Sequence, residues 1–240
     1  MGNKESIRLQ VFLSRNGVCS RRKAMDLIKE GRVSVGEEVV REPSFAVDSQ
    51  AQDIRVDGKA VVSQAFTYIL LNKPKGCVTT KEDPFAKRTV LDLLPAELRH
   101  LHPVGRLDKD TEGLLLLTND GEMTNKLTHP RYHVEKVYTV RIEGQLKPEE
   151  KTRLEKGVII DGSKTLPAKV SEVNPQGRHT EFLMTIREGR KRQIRLMLEK
   201  VGHQVVALKR LQQGPLRLGD LHPGQYRELT QEEIRKLKER

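Results

Sequence analysis

One segment of the sequence concentrates residues that could carry out chemistry: residues 105–121, GRLDKDTEGLLLLTNDG. Asp108, Asp110 and Glu112 precede the apolar run Leu114–Leu117, which is short enough to be a buried strand. Removing a carboxylate from water is costly, so carboxylates kept beside a buried strand need a reason. A carboxylate can act as a nucleophile, a general base or a metal ligand. Three interpretations follow: a solvated loop, a calcium-binding loop and a catalytic carboxylate.

The calcium interpretation fails on spacing, and no other metal site is predicted. Counting from Asp108, position 12 is Asn119 where an EF-hand loop needs a bidentate glutamate, and Pro103 stands where a helix should flank the loop. A proline separates His129 from His133, and the cysteines form no CxxC pair. There is no P-loop or dinucleotide-binding glycine pattern either. The sequence therefore predicts neither a metal nor a cofactor.

The charge balance indicates a polyanionic partner. The 240 residues include 44 Lys+Arg against 33 Asp+Glu, a formal net charge of +11, and each basic contact with a phosphate releases counterions. No apolar stretch approaches the ~20 residues that span a bilayer, so we expect a nucleic acid and no membrane. Two free thiols, Cys19 and Cys77, favour a reducing compartment. We expect a cytoplasmic monomer.

Residues 7–62 have the pattern of a small α+β module. Leu9, Phe12 and Leu13 form a helical stripe that ends at Gly17, and Ser20 caps a second helix. Short alternating strands follow at 33–39 and 54–56. Three cations occupy the first turn of the second helix, where the helix dipole disfavours them, which suggests that they are used. The predicted RNA-binding edge consists of Arg15, Arg21, Arg22, Lys23 and Arg32.

A polar link leads to a longer region, residues 66–230, which we predict to be a second domain, followed by a tail at 231–240. Thr230 and Glu233 make a capping box, which predicts that the tail is helical. Within the longer region, Asn119-Asp120-Gly121 is typical of a turn after the apolar run.

Several segments resemble known families. LxxFLxxxGxxSRRxAxxLIxxGRVxV, near the beginning, resembles the S4 RNA-binding domain, with Gly36-Glu37 in place of the usual Asn-Gly. HPVGRLDKDTEGLLLLTNDG (102–121) resembles the signature of the S4-domain rRNA pseudouridine synthases of the RsuA/RluB type, which isomerise uridine to pseudouridine. LNKPKG (71–76), EKVYTV (135–140), EGRKRQIRLM (188–197) and the closing segment 214–229 match further motifs of that family in order.

The resemblance implies an α+β fold: a small N-terminal S4 module, then a catalytic domain with a mixed, mainly antiparallel sheet and a central cleft. It makes Asp108 the essential carboxylate, and whether Asp108 acts as nucleophile or base stays open. It places Tyr138 against the flipped base, Ile194 as an apolar wall and Arg195 as the cation that pairs with Asp108. Arg106 would fill the space that the base leaves.

The stretch from Arg187 to Arg217 contains nine Lys/Arg residues and two Glu, which fits a groove that follows phosphates. We predict that Arg190, Lys191 and Arg192, its densest part, bind RNA. Leu196 stands where many family members have another cation, so we expect one phosphate contact fewer.

The predicted partner is ribosomal RNA, free or in a ribosome assembly intermediate. TVLDLLP (89–95) and GPLRLGDLHPG (214–224) favour the RluB-like branch, whose members modify large-subunit (23S) rRNA, over the RsuA branch, which acts on small-subunit (16S) rRNA. One alternative is a non-catalytic S4-domain assembly factor, which has no need of Asp108, Tyr138 and Arg195 together. The other is a metal-dependent nuclease, for which the clustered ligands are missing.

Overall fold

The computed structural model describes residues 6–48, 53–80 and 88–239. The chain divides into two compact units: the part up to Thr67 together with Thr118–Gly121, and Tyr68–Leu117 together with the part from Glu122 onward. Residues 49–52 of the predicted N-terminal module lie outside the described residues. Across the described ranges, no helix is both long enough and apolar enough to cross a membrane.

The first unit is a small α+β module. Its helices are α1 (Leu9–Arg15) and α2 (Arg21–Lys29), and its strands are β1 (Ser6–Arg8), β2 (Val33–Val35), β3 (Glu38–Val39), β4 (Ala46–Asp48), β5 (Ile54–Val56) and β6 (Lys59–Ala60). Strands β3, β2, β5 and β6 form one sheet in that order, and β1 pairs with β4. The predicted stripe of Leu9, Phe12 and Leu13 is buried in one cluster with Ala24 and Ile28 of α2.

The turns of this unit follow from the sequence. The Oγ of Ser20 accepts a hydrogen bond from the backbone N–H of Lys23 at 3.3 Å, so the predicted cap of α2 forms. Gly36 and Glu37 make the two-residue turn between β2 and β3. Gly36 has a φ of +62°, which glycine adopts without strain, so the departure from Asn-Gly leaves the hairpin intact.

Within the described residues, the second unit consists of a large sheet, a separate two-stranded sheet and four α-helices. The helices are α3 (Gly121–Thr128), α4 (Pro148–Lys156), α5 (Gln193–Glu199) and α6 (Gln231–Lys238). The strands are β7 (Tyr68–Lys73), β8 (His102–Pro103), β9 (Glu112–Thr118), β10 (Lys136–Glu143), β11 (Ile159–Ile160), β12 (Ser163–Lys164), β13 (Lys169–Gln176), β14 (His179–Ile186), β15 (Val205–Gln213), β16 (Leu216–Arg217) and β17 (Tyr226–Glu228). Helix α6 begins with the capping box of Thr230 and Glu233.

The large sheet is mixed. Its strands lie in the order β13-β14-β10-β15-β9-β7-β17, with β16 beside β15 and β8 beside β9, and β11 and β12 form the separate two-stranded sheet. Strand β10 is antiparallel to both β14 and β15, and β9 is parallel to β15. A small helical and stranded module followed by a mixed, mainly antiparallel sheet confirms the predicted fold class.

Strand β9 shows why its sequence is a continuous apolar run. Leu114 and Leu116 belong to one buried cluster, whereas Leu115 and Leu117 belong to another. Alternate residues of a strand face opposite sides of the sheet, so this strand is buried on both faces. The loop that carries Asp108 leads directly into this strand.

Candidate active site

Asp108 lies in the loop between β8 and β9, where its half-buried side chain lines a cleft. The loop turns tightly, since the N–H of Thr111 donates to the carbonyl of Asp108 at 3.0 Å. Thr79 fixes Leu107, the residue before Asp108. The Oγ1 of Thr79 donates to the carbonyl of Leu107 at 2.7 Å and accepts from the N–H of Leu107 at 3.2 Å. The carboxylate is therefore carried by a backbone that is held on both sides.

The buried side chain of Lys73 supports the same loop. It has no exposed surface. Its ammonium donates to three backbone carbonyls, those of Thr111 at 2.8 Å, Pro74 at 3.1 Å and Lys109 at 3.4 Å. Burial lowers the pKa of Lys73, while Cys77 and Asp108 act in the opposite direction. Lys73 therefore ties the carbonyls of the Asp108 loop to the end of β7.

The cleft beside Asp108 encloses about 470 Å³, within the ~300–1,000 Å³ typical of small-ligand sites. Tyr138 of β10 and Ile194 of α5 line it and are only 7% and 3% exposed. Arg106 lines it as well, and its side chain is exposed to solvent. The structure thus brings Asp108, Tyr138, Ile194 and Arg106 to one cleft.

Arg195 lies near this group without binding the carboxylate of Asp108. Its Nη1 donates to the carbonyl of Val205 and its Nη2 to the carbonyl of Asp110, both at 3.2 Å. Within the described residues it forms no ion pair with Asp108. Burial and then Arg192 lower the pKa of Arg195, and the charges of Asp110 and Asp108 oppose them. The expected ion pair is replaced here by a hydrogen bond to the backbone of the Asp108 loop.

Glu188 organises the segment that precedes α5. One of its oxygens accepts from Nε2 of Gln193 at 2.8 Å, and the other accepts from Nε of Arg190 at 3.2 Å. Arg190 also donates to backbone carbonyls of β12 at 3.1 and 2.7 Å, so its guanidinium is occupied within the protein. Lys191 and Arg192 are exposed at the cleft, where they are accessible to phosphates.

A further set of cleft residues comes from the neighbouring strands β10 and β15. Arg210 is 2% exposed, and its Nε donates to the carbonyl of Leu114 at 2.7 Å. Gln213 is 1% exposed, and Lys136 is partly buried. Burial, followed by the charge of Arg210, lowers the pKa of Lys136 to about 8, and Glu188 opposes the shift.

Among the described residues, the lining of this cleft combines one carboxylate, one tyrosine ring and an excess of cations. No three His, Cys, Asp or Glu side chains come together as metal ligands in the described part of the chain. A single carboxylate surrounded by cations suits covalent or acid–base chemistry on a polyanion.

Family models match both parts of the chain. The model of the S4 domain matches residues 7–53, and that of RNA pseudouridylate synthase matches residues 67–200, more than half of the sequence. The chain belongs to the RNA pseudouridylate synthase family. It is an RNA uridine isomerase, as its motifs predict.

Relatives and a solved structure match nearly the whole length of the synthase. A ribosomal large subunit pseudouridine synthase B from Bacillus subtilis (strain 168) is 42% identical over 233 residues, which cover 96% of this chain and 95% of the relative. An RNA pseudouridine synthase from Aquifex aeolicus (strain VF5) is also 42% identical, over 96% of this chain and 93% of the relative. A crystal structure of a pseudouridylate synthase matches with a TM-score of 0.70 and 32% identity, covering 96% of this chain and 99% of that one.

Sequence reasoning missed several residues that contribute to the cleft of the synthase. Lys73 and Lys136 fall in matched motifs, but no role was predicted for them. The signal for Lys73 was its place at the end of the apolar run YILLNK. Arg210 and Gln213 carried no such signal, because their burial depends on the pairing of β15 with two distant strands.

The basic edge of the S4 module is only partly free. Residues 21–23 are exposed, and their side chains make no ion pair within the described residues. Arg15 lies over the ring of Phe66, with its guanidinium carbon 3.8 Å from the ring centroid. Arg32 pairs with Asp57 at 2.6 Å and with a second carboxylate at 3.2 Å. The residues best placed for an external phosphate are therefore 21–23.

Proposed function

We propose that this synthase isomerises one specific uridine of large-subunit ribosomal RNA, with Asp108 as the reacting carboxylate. The observation that carries the proposal is the state of Asp108 itself. The backbone on either side of it is fixed, by Thr79 at Leu107 and by Lys73 at Lys109 and Thr111, whereas its carboxylate accepts no hydrogen bond from the described residues and faces a ligand-sized cleft. A group that is firmly positioned and unengaged is suited to react with a bound substrate.

The reaction needs little beyond such a carboxylate. The N1–C1′ bond of uridine breaks, the uracil turns, and C5 bonds to C1′; C5 loses its proton and N1 gains one. Asp108 takes part either by adding covalently to the sugar or base or by removing a proton from the sugar, and it is released unchanged. Both routes need an ionised carboxylate.

The target uridine has to leave its stack to reach Asp108, at a cost of about a few kcal/mol. Arg106, exposed beside the cleft, fills the position that the base leaves in the RNA. The ring of Tyr138 then lies against the flipped base, and Ile194 supplies an apolar contact. The exposed cations before α5 neutralise the flanking phosphates.

The choice of RNA is supported by similarity. The Bacillus relative that shares 42% of its residues is named a large-subunit enzyme, and we extend that substrate to this synthase. Free rRNA and an assembly intermediate both present structured elements with phosphates for the S4 module and for the mouth of the cleft. Large- and small-subunit rRNA carry the same backbone charge, so an experiment has to distinguish them.

Separate 23S and 16S transcripts test both the substrate and the carboxylate. The purified synthase is incubated with each, and pseudouridine is counted by mass spectrometry after nuclease digestion. We expect product in the 23S transcript, none with Asp108→Asn, and RNA affinity of that variant within about tenfold of wild type. Asp110→Asn, which changes an exposed carboxylate two residues away, is the matched control and should stay active. Product in 16S alone would overturn the substrate, and an active Asp108→Asn variant would overturn the role of Asp108.

A further inference from the structure

Strands β10 and β15 place three polar side chains next to Tyr138. Lys136 lies two residues before Tyr138, and therefore on the same face of β10. In the register of the two strands, Lys136 is opposite Gln213 and Tyr138 is opposite Arg210. A bulge leaves Leu211 without a partner on β10, and Leu211 packs against the core cluster on the other side of the sheet. The bulge allows Arg210 and Gln213 to line the same cleft although they are three residues apart.

Gly113 makes the position of Arg210 possible. It pairs with Arg210 in the parallel β9–β15 ladder and has a φ of +104°. A Cβ atom at residue 113 would lie 2.2 Å from the carbonyl oxygen of Arg210, so only glycine fits. The second glycine of the GRLDKDTEG segment thus sets the distance between the Asp108 loop and β15.

Two of the three side chains present buried polar atoms without partners among the described residues. The Nη2 of Arg210 has no acceptor, and the Oε1 of Gln213 has no donor. The ammonium of Lys136 donates to the carbonyl of Val134 at 3.1 Å, which leaves two of its three N–H bonds available. A buried polar atom without a partner costs about 1–3 kcal/mol, so such atoms at a cleft indicate that a ligand completes them.

We propose that Lys136, Arg210 and Gln213 recognise the Watson–Crick edge of the flipped uracil and so select uridine over cytidine. The proposal rests on the proposed function, because it requires a uridine base in this cleft. Base recognition is thus assigned to strands β10 and β15, whereas the reacting carboxylate of Asp108 lies on a separate loop.

The donors and acceptors of the three side chains complement uracil. The carbonyl oxygens O2 and O4 need donors, which the guanidinium of Arg210 and the ammonium of Lys136 supply. The N3–H needs an acceptor, which Oε1 of Gln213 supplies. Cytosine instead has an amino group in place of O4 and an unprotonated N3, so a donor would face a donor and one buried group would stay unpaired. Such mismatches are the strongest source of specificity in closed sites.

A phosphate is a poorer fit to the same group. The carbonyl oxygen of Gln213 would face the phosphate oxygens, and exposed cations for phosphate already exist at Lys191 and Arg192. Within the described residues the ammonium of Lys136 forms no salt bridge, and burial and the charge of Arg210 lower its pKa to about 8. A neutral carbonyl oxygen of uracil gives it an acceptor without requiring a second charge to be desolvated.

Transcripts in which 2-thiouridine or 4-thiouridine replaces uridine test the proposal, because sulfur is a weaker acceptor than oxygen. Wild type, Lys136→Met and the control Lys169→Met, an exposed lysine on β13, are compared on normal and thio 23S and 16S transcripts. We expect wild type and control to be slowed about tenfold on at least one thio transcript. Lys136→Met should be slower on the normal transcript and should show no such thio penalty, since the contact is already absent.

Gln213 provides an independent arm. Gln213→Met, which removes the acceptor for N3–H, should lower kcat by on the order of 10- to 100-fold with little change in RNA affinity. Gln213→Glu keeps an acceptor and should recover part of the rate, and circular dichroism melting verifies that each variant folds. In the thio experiment, an equal rate reduction in wild type, Lys136→Met and Lys169→Met, or no reduction in wild type, would overturn base recognition alone. A wild type that forms no pseudouridine in any normal transcript would instead overturn the proposed function, and this inference with it.

Discussion

The cations of the cleft and those of the S4 module differ in their surroundings. Lys73 and Arg210 are buried and donate to backbone carbonyls. Residues 21–23, in contrast, are exposed at the beginning of α2. Taking a cation out of water costs several kcal/mol before its hydrogen bonds compensate, whereas an exposed cation costs little.

This difference indicates two separate tasks. The buried cations hold one geometry of the backbone around Asp108, and salt hardly screens them. The exposed cations are predicted to attract RNA from a distance, and a contribution of that kind weakens as salt rises. Changes to the first group should therefore affect turnover at saturating RNA, and changes to the second should affect the salt dependence of binding.

The largest effect that we expect within this comparison concerns Arg195. Arg195→Met should lower kcat by on the order of 100-fold, because it removes the bond to the carbonyl of Asp110 and a positive charge near Asp108. Arg195→Lys keeps the charge but cannot bridge two carbonyls, so its rate should be intermediate. Single-turnover rates at saturating RNA measure both. Arg141→Met, which breaks a surface pair with Glu181, is the control, and equal rates for the Met and Lys variants would contradict a role for the charge.

A smaller reduction of turnover should follow from Thr79→Val. The hydroxyl of Thr79 both donates to and accepts from the backbone of Leu107, and valine has nearly the same shape without these bonds. We expect kcat to fall about tenfold while RNA affinity stays the same, since the loop of Asp108 is no longer held in position and no cation changes. Thr79→Ser keeps the hydroxyl and should recover most of the rate. A valine variant with full kcat would show that this anchor is dispensable.

For the exposed cations, replacing residues 21–23 with alanine should leave kcat at saturating RNA unchanged. The log–log slope of affinity against salt should become shallower by up to about three units, roughly one for each phosphate that these side chains no longer neutralise. Arg32→Met offers a contrast within the same module, because Arg32 already pairs with Asp57, and its slope should change less. Filter binding at a series of salt concentrations measures both variants. Equal slopes for the triple variant and wild type would show that this edge does not touch RNA.

The sequence predicted best those features that depend on near neighbours. The stripe and cap of the S4 helices need only residues three or four apart, and the apolar run Leu114–Leu117 needs only its own composition. Helix α3 was not predicted: the chain bends at Asn119 after β9, near the predicted turn, but a helix then begins at Gly121. The buried Met123 and Leu127, four residues apart, were the available signal.

Features that depend on distant pairing could not be predicted in the same way. Lysine is usually exposed, and the apolar run before Lys73 could not show that its ammonium would bind carbonyls 36 and 38 residues away. Arg210 reaches the carbonyl of Leu114 across 96 residues, and the side of β15 that carries Gln213 depends on the bulge at Leu211. Motif resemblance predicted Asp108 as the reacting carboxylate, but it could not show that Arg195 contacts the backbone of the Asp108 loop.

The smallest effect concerns stability as a function of pH, and it tests whether Lys136 is a buried cation in the unliganded synthase. Because folding lowers the pKa of Lys136 from 10.5 to about 8, the unfolded chain binds more protons between these values, and this residue makes the folded state more stable as pH rises through that window. Below pH 8 Lys136 is charged in both the folded and the unfolded state, and the burial of this charge lowers the free energy of unfolding by a constant amount. Lys136→Met removes that cost, so the variant should exceed wild type by about 1 kcal/mol at pH 7, the value being reduced by solvent screening. The advantage in urea midpoint, followed by circular dichroism, should shrink between pH 8 and 10. Lys169→Met, on an exposed position, should show no such trend, and a constant difference for Lys136→Met across this range would mean that Lys136 stays solvated.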